Sequence, residues 1–373
     1  MIVYVSRRGD TLPSVARRFH LSPEELARCN ALADPNRLVP GLALAIPGPV
    51  ETQRREVVVA ACADAALFPL SAGEAPRYAT FLCSLSCRMT GEGLLIPPAD
   101  GELVRAAGAG GAAPLLCVAN LAANGAFSAD LAHRVLTDGC AQDSFFAQLL
   151  SVLETREYRG AYLYLMYLYP FDRERLSAFL RRAAALLHER GFFLLSAAPP
   201  QESGAAGEAH DYAVHAESAD WVVLTTYDWG NAAGEPQPVS PLEEIRRVLD
   251  RAVEQIPREK ILLGVSNHAC SWTLPWRAGQ SASLMSNAAA VNLAVAAGAA
   301  VHFDGNAAAP HFRYSDGAGI SHELWFEDLR SFLSRFALVK EYGLGGLSLW
   351  TVNAPNPALL SAQEELFTPV KLI

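Results

Sequence analysis

From Glu56 onward the chain alternates short apolar, β-rich runs with longer amphipathic stretches, and this alternation limits the fold more than any other feature. Eight runs fit strands: Val57–Ala61, Tyr78–Ser86, Pro114–Val118, Ala161–Leu168, Phe192–Ala197, Trp221–Tyr227, Ile261–Ser266 and Gly346–Trp350. Between them, Asp130–Leu136, Ser144–Leu153, Asp172–Glu189, Pro241–Gln255, Ser283–Ala297 and Glu323–Glu341 carry apolar residues at helical spacing. Strand and helix in succession imply a parallel sheet, because each crossover must carry the chain back before the next strand. Eight such units over about 300 residues predict an α/β fold, the closed (β/α)8 or TIM barrel. One interruption follows the seventh strand. Ala300–Phe303 and His311–Tyr314, separated by Asp304-Gly305-Asn306, read as a small inserted hairpin.

Ahead of the barrel lies a small α+β unit. Val3-Tyr4-Val5 reads as a strand ending at Gly9. Asp10 and Thr11 cap a helix from Leu12 to Phe19, with Leu12, Val15, Ala16 and Phe19 on one face. Ser22-Pro23-Glu24-Glu25 opens a second helix with a cap, a proline in the first turn and acids at the positive end of the helix dipole. Leu42 to Pro47 closes the unit as a strand, giving the order βααβ. The expected domains are residues 1–48, a polar linker at 49–56, and the barrel at 57–373.

Residues that build a core make up 51% of the chain and charged ones 18%, which excludes disorder. The net charge of -9 excludes a nucleic acid or an anionic membrane surface held by bulk electrostatics. No apolar run approaches the ~20 residues of a membrane span, so no membrane insertion is expected. The N-terminus lacks the charged start and apolar stretch of a signal peptide, so synthesis in the cytoplasm is expected. The seven cysteines, mostly within apolar runs, read as buried free thiols. No metal site and no organic cofactor is indicated.

The N-terminal unit resembles a LysM domain. Tyr4, Val5, Gly9-Asp10-Thr11-Leu12, Ala16, Phe19, Ser22, Leu26, Asn30, Leu38, Gly41, Leu44 and Ile46-Pro47 stand where that family's pattern sets them. The resemblance implies binding of an N-acetylglucosamine glycan, peptidoglycan or chitin, in a groove between two loops. Those loops would be Gly9, Asp10, Thr11 and Leu12 on one side, and Asn36, Leu38, Val39, Pro40 and Gly41 on the other.

The barrel resembles glycoside hydrolase family 18, in the branch of spore-associated, LysM-bearing N-acetylglucosaminidases that act on cortical peptidoglycan. The likeness is carried by Asp172-Arg173-Glu174-Arg175-Leu176, Thr226-Tyr227-Asp228, Ile256 through Gly264, His322 through Asp328, and Lys340 through Trp350. The family's chemistry sits at the end of the fourth strand, in the pattern Asp-x-x-Asp-x-Asp-x-Glu. The Glu protonates the glycosidic oxygen and the last Asp orients the substrate's own acetamide as nucleophile. Residues two apart on a strand share a face, which points the acids into the barrel mouth.

Here the matching segment is Tyr158 to Tyr167, and Arg159, Tyr162, Tyr164 and Met166 stand at the four polar positions. Methionine donates no proton, and a tyrosine with a pKa near 10 is a poor carboxylate. Loss of the acid alone costs on the order of 10²–10⁴ in rate. The resemblance leaves a glycan cleft: Trp350 matches its tryptophan floor, Tyr227 a contact to the reacting sugar's acetamide, and Asp228 a binding residue. Trp272 and Asp304 are further binding candidates, and Trp229, Trp276 and Trp325 lie near the same mouth. The leading expectation is therefore a peptidoglycan-binding protein with a catalytically inactive barrel. The alternatives are an active N-acetylglucosaminidase with a displaced acid, drawn from Asp228, Asp304 or Glu323, and a coat-assembly scaffold with spore coat proteins as partners. The resemblance places the protein at the spore coat, the cortex or the cell wall.

Overall fold

The computed structural model describes residues 1–48, 54–67, 74–201, 208–227, 229–230, 233–354 and 356–372. Most of the expected linker and the candidate Asp228 lie outside them.

Eight parallel strands form the barrel: Arg55–Ala63, Phe81–Met89, Ala113–Ala119, Gly160–Tyr164, Phe193–Ala198, Trp221–Leu224, Ile261–Ser266 and Gly346–Trp350. The first pairs with both the second and the eighth, so the sheet closes on itself and the barrel has no open edge. Alternation along each strand splits the side chains into two cores. Outward residues such as Leu163, Leu224, Leu263 and Leu347 pack beneath the helices, and inward ones such as Phe81, Leu115, Tyr162 and Leu195 fill the barrel.

Two strands stop short of the expected ends, and in both a side chain has replaced the ladder. Beyond Tyr164 the Met166 amide donates to Oδ1 of Asn120, while the Met166 carbonyl accepts from Asn120 Nδ2, each at 2.9 Å. Tyr167 then takes φ +55°, which turns the chain outward. Beyond Leu224 the Thr226 hydroxyl donates to the Gly264 carbonyl of the next strand at 2.8 Å.

The insertion is larger than a hairpin. His302–Asp304 and Ala309–Ser315 do pair antiparallel, as expected, but within a five-stranded sheet. Its other strands are His268–Thr273, Ser283–Ser286 and Ser321–Trp325. Two expected helices therefore begin late. Ser283–Ser286 is strand, and Ser286 then caps the helix Asn287–Ala297. Likewise Ser321–Trp325 is strand, and Asp328 caps the helix Leu329–Glu341. Short apolar runs read alike in both states, and only the sheet partner decides between them.

The N-terminal unit has the expected order: Ile2–Val5, Leu12–Arg18, Pro23–Cys29 and Ala43–Ile46, its two strands antiparallel. Thr11 and Ser14 cap the first helix reciprocally, and the Ser22 side chain caps the second. Its core does not end at the domain boundary. Leu12, Val15, Leu26 and Leu44 belong to one apolar cluster with Ala290, Ala294, Phe312, Leu324 and Phe326 of the insertion. Asn292 fastens the contact, its Nδ2 donating to the Ala31 carbonyl and its Oδ1 accepting from the Ala33 amide, both at 2.8 Å. None of the seven cysteines is in a disulfide, as expected, but Cys140 is exposed and Cys29 only partly covered.

Candidate functional site

The inward side chains of the barrel form three layers. At the bottom Phe81, Phe193 and Trp221 meet with centroids 5.4–6.0 Å apart, closing the barrel with rings. Above them Tyr162 sits among the thiols of Cys62, Cys83 and Cys117. Its hydroxyl has no hydrogen-bond partner among the described residues, and burial pushes its pKa well up. At the top are Tyr164, Met166, Phe127 and Trp350.

The indole of Trp350 lies nearly parallel to two phenol rings, Tyr164 at 5.0 Å and 19° and Tyr227 at 6.0 Å and 17°. Phe127, from the loop after the third strand, packs against Tyr164 at 5.6 Å. Tyr162, Tyr164 and Met166 thus face the barrel interior and all three are buried. Arg159 does not join them. Exposed below the strand, it donates its amide to the Pro114 carbonyl and accepts from the Phe193 amide.

The carboxylates around this centre are already committed. Asp172 stands at the start of the helix Arg173–His188, yet its side chain makes no cap. It pairs with His133 at 2.9 Å and Arg175 at 3.3 Å. Asp304 accepts the amides of Asn306 and Ala307, both at 2.9 Å, and so shapes its own turn. Glu323 is clamped by Arg313 at 2.7 Å and accepts from Trp325 Nε1 at 2.9 Å. Glu154 and Glu157 are exposed, ahead of the fourth strand.

Two of the remaining tryptophans lie in the core of the insertion. Trp272 is fully buried between Cys270 and Trp325 in the insertion core, its Nε1 donating to the Gly234 carbonyl at 2.8 Å. That corrects the expectation of a sugar-facing ring. The insertion sheet grew around Trp272, and its alternation aims this position at the core. Trp325 is likewise buried, stacked on His311 at 4.3 Å.

In the N-terminal unit, Gly9 (φ +90°), Thr11 and Asn36 are exposed, while Leu12 and Val39 are core residues. Asp10 accepts from the Arg7 amide and the Tyr4 hydroxyl, both at 2.7 Å, and these bonds hold its pKa below the usual carboxylate range. The second loop is backed onto the insertion. The Pro40 carbonyl accepts from the Val301 amide at 2.9 Å, and a Cβ on Gly41 (φ +90°) would overlap the Val301 carbonyl. Leu38 is half-buried beside it.

Sequence reasoning passed over Asn120 and Phe127, which position Met166 and Tyr164. It also passed over an aromatic rim, Tyr167, Tyr169 and Phe171, whose signal was present: five rings lie between positions 162 and 171.

A model of the glycosyl hydrolases family 18 matches residues 127–354, and a LysM domain model matches residues 4–47. The chain is 34% identical to a cortical fragment-lytic enzyme of Bacillus subtilis, over 100% of this chain and 99% of that one. Among solved structures it superposes on the spore cortex-lytic enzyme SleL of Bacillus megaterium with a TM-score of 0.93 at 26% identity, covering 100% of this chain and 99% of that one. It also superposes on SleL of Bacillus cereus with a TM-score of 0.91 at 30% identity, covering 99% of each.

Proposed function

The chain belongs to glycosyl hydrolases family 18 and carries a LysM domain, and from that membership we propose that it is a peptidoglycan-directed glycan-binding protein whose barrel no longer hydrolyses its ligand. One observation carries this reading. Where the resemblance sets an orienting Asp and an acidic Glu, Tyr164 stacks on Trp350 and Met166 lies buried behind it. Neither side chain can deliver a proton to a glycosidic oxygen near neutral pH. Asp172, Asp304 and Glu323 are each already engaged, in ion pairs or in the hydrogen bonds of a turn.

The stacked rings, of which Trp350 remains partly exposed, suit the apolar faces of pyranose sugars, and the LysM loops offer a second contact to the same polymer. The relatives' names make cortical peptidoglycan the first ligand to try and support an association with the spore cortex or the cell wall.

The same relatives support a second reading. They are named as lytic enzymes across the whole length of the chain, which favours retained hydrolysis through an acid elsewhere, with Asp228 the first candidate. Product release from cortical fragments, at high protein concentration and long incubation, separates the two. No release together with measurable fragment binding supports the binding protein. Release that disappears in Asp228→Asn establishes the enzyme.

A further inference from the structure

A pocket of about 380 Å³ opens on the barrel rim outside the mouth, walled by Arg88, Thr90, Leu121, Ser128, Arg134 and Asp130, the last with its carboxylate engaged by the Tyr169 hydroxyl. It is contiguous with the mouth. Leu121 bridges to Phe127 across a short loop, and Phe127 on the other side packs against Tyr164 at 5.6 Å and Tyr167 at 5.4 Å. Neither Arg88 nor Arg134 has an ion-pair partner among the described residues. The helix Ala129–Thr137 presents Asp130, His133 and Arg134 on one face, as spacings of three and four require.

That face also carries two prepared rings. Tyr169 and Phe171 stack at 4.9 Å and 14°. The Tyr169 hydroxyl donates to Asp130 at 2.8 Å. His133 meets Phe171 edge-on at 5.5 Å and is itself held by Asp172 at 2.9 Å. Phe171 nonetheless remains 63% exposed and Tyr167 59% exposed. Large rings fixed by polar anchors and left open to solvent are a ligand platform more than a core, since nothing is gained by ordering an exposed ring for its own sake.

We propose that this rim pocket, together with the Tyr169–Phe171 stack that Asp130 ties to its edge, is a saccharide subsite for a carboxylate-bearing pyranose, with the carboxylate on Arg88 and Arg134 and the ring's apolar face on the stack. Each half of the ligand meets its complement: guanidinium forks pair with carboxylates, and flat C–H faces of a sugar pair with aromatic rings. Two arginines also discriminate. A neutral chitin-type sugar leaves them unmatched, whereas the lactyl ether of a muramic acid residue does not. The inference rests on the glycan-binding reading and gives it a chemical preference.

The test uses the full chain and two disaccharides, N-acetylglucosaminyl-N-acetylmuramic acid and chitobiose, with binding measured by calorimetry. The expected result is at least tenfold tighter binding of the acidic sugar. The preference should be lost in Arg88→Gln/Arg134→Gln with chitobiose affinity unchanged, and Phe171→Ala should weaken the acidic sugar by several-fold. A preference that survives the double substitution overturns the proposal, because the carboxylate is then read elsewhere. Binding of chitobiose with no acidic preference in the native chain also overturns it while leaving the glycan reading standing. Failure to bind either sugar overturns both. Arg88 and Arg134 line the pocket and Phe171 is exposed beside it, and an unchanged melting temperature confirms that the variants are folded.

Discussion

The ring of Tyr164 lies 5.0 Å from the indole of Trp350, its plane only 19° from parallel. A phenol therefore covers a face of the tryptophan that the resemblance assigns to the sugar. The residue two positions further on, Met166, is held in place by a backbone clamp from Asn120. The clamp fixes the position without regard to what side chain stands there.

Because the backbone is already in place, Tyr164→Asp with Met166→Glu should restore a general acid and its partner. We expect the native chain to release no product from cortical fragments, and the double variant to release it above background by at least the ~10² that one acid contributes. Reducing-end analysis of the fragments reads this out. Equal release by both would place the acid elsewhere. Tyr164→Asp alone should remain inactive.

Acid should weaken the fold through a buried histidine pair. His215 lies between Ser196 and His210, its Nδ1 2.9 Å from the serine hydroxyl and its Nε2 3.1 Å from His210 Nδ1. Burial lowers its pKa from 6.5 to about 4 and pushes that of His210 well down too. Both are neutral when folded at pH 7, but the unfolded chain takes up protons below about pH 6.5. Stability is therefore full above that pH and falls as pH drops toward 4, with His215 alone accounting for roughly 3 kcal/mol. Urea midpoints measured between pH 7 and 4 should show this slope, and His210→Gln/His215→Gln should flatten it. An equal slope in the variant would assign it to other groups.

Arg335 and Glu327 form a fully buried ion pair at 3.1 Å. The guanidinium also donates to the carbonyls of Ser240, Ala308 and Ser331, joining the helix Leu329–Glu341 to the insertion. Removing one charge strands the other in the interior. Glu327→Gln or Arg335→Met should each lower stability by about 3–5 kcal/mol, read as a shift in denaturation midpoint. A loss below 1 kcal/mol would mean that water reaches the pair.

The LysM domain should not come off cleanly. Deleting residues 1–48 uncovers Phe312, Leu324 and Phe326 and removes the hydrogen bonds to Asn292 and Val301. We expect the intact chain to melt in one calorimetric transition and the truncated chain to melt lower or aggregate. Gly41→Ala, whose Cβ would meet the Val301 carbonyl, should loosen the same contact with the domain still present. Two separate transitions in the intact chain would show that the halves unfold independently.

Much of this protein was legible before any coordinates. The strand–helix alternation determined the barrel, since period-two and period-3.6 patterns are imposed locally by which face is buried. The caps at Thr11 and Ser22 were readable for the same reason, as each rests on neighbours three residues away. That Arg159, Tyr162, Tyr164 and Met166 stand at the family's polar positions is what the resemblance implies; strand periodicity adds only which of them share a face. Tertiary structure decided the rest. It made strands of Ser283–Ser286 and Ser321–Trp325, buried Trp272, and merged the LysM core with the insertion, because each outcome depends on partners distant in the chain. It also decided that Tyr164 stacks on Trp350. Sequence specifies that two rings exist and point inward, but only closure of the barrel, which brings the fourth strand opposite the eighth, sets them face to face.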